Sequence, residues 1–113
     1  MAKNKYEELK KALEKAITVA QEAKTDDDGG TCNFDSPTLD YRAMGMSKAK
    51  AIETIKSVGL GCFEWRSYYG KIWGLVICGC TAGQGNCRTR MAEAFHKSLV
   101  AQGVASGMYY QMD

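Results

Sequence analysis

The sequence predicts a single α+β domain, an N-terminal helix followed by a strand–helix–strand–strand–helix–strand core. Three observations carry that expectation. The first two dozen residues repeat apolar side chains three and four apart, two further runs of that kind end at glycines, and short alternating aromatic or β-branched segments interleave with them. The length of 113 residues with 45% hydrophobic side chains suits one core. A chain of this size buries roughly two-thirds of its unfolded surface, which excludes a two-domain enzyme.

Taken in order, residues 1–24 hold Tyr6, Leu9, Leu13, Ala16, Ile17 and Ala20 on one face, with Lys and Glu on the other, and form the N-terminal helix. Residues 25–30 are a linker: the acidic run Asp26-Asp27-Asp28 stays hydrated, and Gly29-Gly30 stops the helical pattern. The run lacks the alternating carboxylates of a calcium loop. Residues 31–113 make the core. Thr31 to Asp35 alternates, with Cys32 and Phe34 on one face, and Ser36-Pro37 is expected to end this strand because proline has no ladder donor. Ser47 is an N-cap for a second helix that carries Ala51, Ile52, Ile55 and Val58 inward and closes at Gly59 and Gly61.

A hairpin follows. Phe63 and Trp65 alternate with Glu64 and Arg66, Tyr69-Gly70-Lys71 turns the chain, and Ile72 to Cys80 returns. Phe63 and Trp65 then share a face with Val76 and Cys78, while Arg66, Tyr68, Trp73 and Leu75 take the other. Residues 86–102 form the third helix, with Met91, Phe95 and Leu99 inward and Gly103 at its end, and Gly107 to Met112 is the last strand. The order is that of a ferredoxin-like βαββαβ domain. Right-handed crossovers would set the strands that begin at Thr31 and Ile72 side by side and parallel, with both core helices on one face. The N-terminal helix then covers the opposite face or serves a subunit contact.

Composition excludes several function classes. A net charge of +2 is no electrostatic footprint for nucleic acid, which is therefore not an expected partner. Five cysteines, an odd number, after a polar start at Lys3 and Lys5 point to a reduced, cytoplasmic setting without a disulfide framework. The longest apolar run, Ile72 to Cys80, is interrupted by Gly74 and Gly79 and falls short of the roughly 20 residues that cross a bilayer, so no membrane is expected. Cys78 and Cys80 have no second pair to complete a metal site, so neither metal nor cofactor is expected. His96 lies mid-helix, far along from Ser36 and Cys87, and no catalytic set assembles. Cys87, at a helix start beside Arg88 and Arg90, is the one thiol placed for reactivity, though it lacks a base.

The candidate site is a ligand site. The topology is expected to bring Asp35-Ser36-Pro37-Thr38 to the loop Thr81 to Asn86, at one end of the sheet. Within that loop Gly83 and Gly85 allow backbone amides to approach a ligand around Gln84 and Asn86, and the following helix presents unpaired N–H groups. Arg88 and Arg90 in its first turn are disfavoured by the helix dipole and call for compensation. A phosphate supplies it. So do Asp35, Asp40 or Glu93, in which case the glycines only shape a tight connection; both readings stand at this level. Trp73 and Tyr109 are the aromatics placed to stack a base or sugar.

The string Gly83-Gln84-Gly85-Asn86-Cys87-Arg88-Thr89, the segment Gly30-Thr31-Cys32-Asn33-Phe34-Asp35-Ser36-Pro37 and the terminal Tyr109-Tyr110-Gln111-Met112-Asp113 are similar to small proteins encoded by phages of Gram-positive hosts. Among these the chain resembles the anti-Thoeris proteins, sponges that sequester cyclic ADP-ribose-type signals without degrading them. That resemblance implies a non-enzymatic, phage-encoded immune-evasion sponge working in the host cytoplasm. It implies a pyrophosphate at Gly85, Asn86 and Arg88, and an adenine or ribose on a hairpin or terminal-strand aromatic. A dimer or larger closed homo-oligomer is expected, because the N-terminal helix and exposed aromatics supply self-complementary surface. The alternative function is an inhibitor or adaptor that binds a host protein through the acidic linker, the N-terminal helix or the aromatic face.

Overall fold

Asn4 opens the first helix, its side-chain oxygen accepting the Tyr6 N–H at 2.9 Å, and Ser47 opens the second in the same way through the Lys50 N–H at 3.2 Å. A computed structural model describes residues 4–24, 35–66, 72–81 and 86–109, with the backbone alone for Ile72, Trp73 and Asn86. The elements run α1 (Lys5–Glu22), β1 (Ser36–Leu39), α2 (Lys48–Ser57), β2 (Gly61–Arg66), β3 (Ile72–Cys78), α3 (Asn86–Ala101) and β4 (Ser106–Tyr109). The fold is α+β, with an N-terminal helix and a four-stranded sheet in the order β2-β3-β1-β4. The expected linker 25–30, the stretch 31–34, the hairpin turn and the last residues lie outside the described part.

Two expectations about the first strand are corrected. Ser36 and Pro37, expected to end that strand, lie inside β1, with Pro37 opposite Met108, while the expected strand from Thr31 falls mostly outside the described residues. The Asp40 N–H bonds Ala105 O at 2.9 Å, so by strand alternation position 37 turns its nitrogen away from β4 and toward β3. Pairing with β3 is recorded at Thr38 and Leu39, beyond the proline, which therefore removes no donor from the β4 ladder. The expected parallel pair is also absent: β1 runs antiparallel to both β3 and β4. A hairpin reverses direction, so β3, inserted between β2 and β1, runs against both.

The N-terminal helix is placed differently as well. It packs on α3 and α2, and among the described residues no helix lies on the far sheet face. Leu9, Leu13, Ala16 and Ala20 join Ile55, Phe95 and Leu99 from the other helices and Leu39, Leu75 and Ile77 from the sheet in one core. The Tyr6 hydroxyl accepts the Ser47 N–H at 3.2 Å and ties the start of α1 to that of α2. All helices therefore gather on one side. The sheet's other side carries Phe63 and Trp65 opposite Val76 and Gly74, the shared face read from the alternation.

Candidate functional site

Because β1 runs against β3, its beginning lies near the end of β3 and the first turn of α3, while the chain after Leu39 leaves at the opposite end of the sheet. The expected meeting of Asp35 and Ser36 with the start of the third helix therefore occurs, but through reversed strands rather than through loops at shared carboxyl ends. Thr38 lies farther along β1 and is not part of it. Arg88 Nε donates to the backbone oxygen of Asp35 at 3.2 Å, and Arg88 Nη2 donates to Ser36 Oγ at 3.3 Å. Thr89 Oγ1 donates to Asp35 Oδ2 at 2.9 Å. Asp35 and Ser36 are buried, at 7% and 4% exposure, so these bonds form in a partly dehydrated setting where they count for more than at the surface.

A cation in the first turn of a helix faces the positive end of the dipole. Arg88 meets this by turning its guanidinium onto two oxygens of the β1 start, so one arginine does serve as a structural tie to Asp35. Arg90 is exposed. Two residues apart on a helix are about 200° apart in azimuth, so Arg90 does not share the face of Arg88. Gly83, Gln84 and Gly85 lie outside the described residues; Asn86 contributes the backbone of the first helical position, and Trp73 a backbone position in β3.

Tyr109 joins the site. It is the register partner of Ser36, on the uncovered face, and its ring meets Phe63 and Trp65 edge-on at centroid distances of 6.3 and 6.0 Å. Such T-shaped contacts suit the ring quadrupoles. The partners come from β2, at the other edge of the sheet, and reach Tyr109 across β3 and β1. Sequence reading placed Trp65 among the aromatics without choosing it. The available signal was Gly74 in the return strand, which lies opposite Trp65 and leaves room above β3.

The thiol that position along the chain marks for reactivity is buried. Cys87 is 1% exposed and packed in the core with Met91 and Phe95, which closes access to it. Burial pushes the Cys78 and Cys80 thiols up, the latter to about 12, and the nearby Arg88 charge draws both only partly back. Gly79, at φ 93°, turns the chain between them, so Cys80 enters the helix-side core while Cys78 keeps the parity of Val76. Two residues apart in sequence, the pair therefore does not share a face as two positions of one regular strand would. His96, expected to lie far from Ser36 and Cys87, places Nδ1 3.1 Å from Ser106 Oγ, a contact that only the packing of α3 on β4 creates. Among the described residues no group of three or more His, Cys, Asp or Glu is placed to hold a metal, and no helix is long and apolar enough to cross a membrane.

No family model, curated protein or solved structure matches this chain.

Proposed function

We propose that this chain binds and sequesters a phosphate-containing small molecule of the cyclic ADP-ribose or cyclic nucleotide type, without turning it over. One observation carries the reading: a guanidinium braced on Asp35 O and Ser36 Oγ at the mouth of α3, one register pair from an aromatic ring on an uncovered sheet face. A braced arginine holds its charge at a fixed point and loses little side-chain freedom on meeting a phosphate. Backbone N–H groups at the start of α3 point the same way. An α+β fold with its helices on one face is part of this reading, with β1 running against β3 and not parallel to it as in a ferredoxin-like sheet. So are action in the cytoplasm of a phage-infected host and a homo-oligomeric state, the latter supported by the uncovered aromatic face.

Calorimetry with cyclic ADP-ribose isomers and cyclic oligonucleotides tests it, followed by chromatography of the released ligand. Micromolar or tighter binding with intact ligand recovered is expected. Affinity no better than millimolar, or recovery of a cleaved product, overturns it. A second reading, a protein-binding inhibitor or adaptor, is favoured by Phe63, an aromatic that stands 49% exposed on the same face. It requires a host partner whose capture survives Arg88→Ala and fails with Phe63→Ala.

A further inference from the structure

At the end of β1, on the uncovered face, a cavity of about 260 Å3 is walled by Thr38, Asp40, Trp65, Ala105 and Gly107, among others. Missing side chains create it. Gly107 lies opposite Thr38, where a Cβ would stand 3.1 Å from Thr38 Oγ1, and Gly74 lies opposite Trp65, where a Cβ would stand 2.7 Å from Leu39 O. β4 therefore raises no side chain beside Thr38, and β3 raises none beside Asp40, while Val76 and Ala105 flank the two residues on their other sides. Trp65 belongs to β2 yet walls a cavity at β1 and β4, so its indole crosses β3 at Gly74.

The polar groups of the wall have a definite sense. Thr38 Oγ1 accepts the Gly107 N–H at 3.0 Å, which leaves its own hydrogen to donate. Asp40 Oδ1 accepts the Ala43 N–H at 3.1 Å, and a carboxylate keeps further lone pairs and no donor. One donor and one acceptor thus stand two residues apart on one strand face, about 7 Å between their Cα atoms. Their complement is a ring nitrogen beside an exocyclic amine. On the edge that carries the five-membered-ring nitrogen, an oxo-substituted purine presents two acceptors and offers Asp40 no hydrogen. The volume lies below the roughly 300–1,000 Å3 of sites for drug-sized ligands and suits one ring system against one indole.

We infer that this cavity is a base subsite that takes an aminopurine ring, stacked on Trp65 and read by Asp40 and Thr38. The inference rests on the phosphate reading above for the ligand's other end. Ser36 is four residues back along β1, roughly 13 Å from Asp40, so a ligand touching both ends is a base joined to its phosphates through sugar. The Tyr109 ring lies beside that path, against Trp65.

Calorimetry on the full chain with adenosine, inosine and ADP-ribose tests the assignment. Adenosine is expected to bind at least tenfold tighter than inosine, because a site built for an amine leaves Asp40 facing an oxygen when the amine is gone. Asp40→Asn keeps an acceptor for the Ala43 N–H and adds a donor, and is expected to bring the two nucleosides within about threefold. Trp65→Ala is expected to weaken adenosine at least tenfold. Equal binding of adenosine and inosine by the native chain, no nucleoside binding at all, or an adenosine affinity unmoved by Trp65→Ala overturns the inference. Arg88→Ala separates the two readings: it is expected to weaken ADP-ribose to the level of adenosine and leave adenosine unchanged. If it moves neither while the adenosine preference persists, the base subsite stands and the phosphate reading fails.

Discussion

The two faces of the sheet are built on opposite principles. The helix side is filled with large side chains at 0–1% exposure, among them Leu9, Leu13, Phe95 and Leu99. The far side is hollowed by Gly74 and Gly107 and bridged by aromatics from opposite edges, Phe63 at 49% exposure among them. Burial drives the first, since each large apolar side chain removed from water contributes about 1.5–3 kcal/mol. The second buries less, and a concave, aromatic and partly polar surface is of the kind that the proposed small ligand needs.

The sharpest way to break that contrast is to truncate one ring on each side. Phe95→Ala, at 0% exposure, is expected to lower the unfolding free energy in urea by about 3–5 kcal/mol, and Phe63→Ala by less than about 1 kcal/mol. Equal losses would dissolve the distinction between a structural and a functional face. Next in size is Gly74→Ala, whose Cβ meets the Leu39 carbonyl at 2.7 Å; main chain cannot yield as a side chain does, and a loss of about 1–3 kcal/mol is expected. Gly107→Ala meets the Thr38 hydroxyl at 3.1 Å and is expected to stay within about 1 kcal/mol, which urea titration of both variants resolves.

Arg88→Ala removes two bonds to the β1 start and is expected to cost about 1–2 kcal/mol, read from the same titration. A variant as stable as the native chain would show that the arginine is held there without supporting the fold. The pH dependence is smaller and has a definite sign. Cys80 ionises near pH 12 when folded and near 8.5 when unfolded, so the unfolded chain loses its proton first. Stability is fully present below about pH 8.5 and falls as pH rises toward 12, and Cys80→Ala is expected to flatten that alkaline limb of the melting curve. The least effect is expected at Glu64. Its carboxyl is held below the usual range by its bond from Lys48, with Arg66 adding to it, and stability falls as pH drops through the folded value. Lys48→Met is expected to soften that acid limb slightly in pH-dependent melting, as for any exposed pair.

How far the site could be read in advance follows from the range of the interactions that make it. Ser47 as a cap, Gly59 at φ 86° closing α2, and the alternation of Phe63 and Trp65 are local, so they stand in the sequence as written. Arg88 meeting Asp35 is a contact across 53 positions. It was one of several acceptors open to the arginine, and only the strand pairing selected it. His96 with Ser106 left no local signal, because helix and strand periods align the two only once α3 lies on β4.

By itself the sequence determined the class of the fold, the helices and the Ser47 cap, and that Phe63 and Trp65 share a face with Val76. Those features depend on residues within a turn or a strand length of one another. Tertiary structure decided the antiparallel course of β1 with a proline inside it, the packing of α1 on the helices and not on the sheet, and the burial of Cys87. It also decided that two glycines far apart in the chain leave one hollow beside Trp65. Register and layer packing are properties of paired segments, and no segment carries them alone.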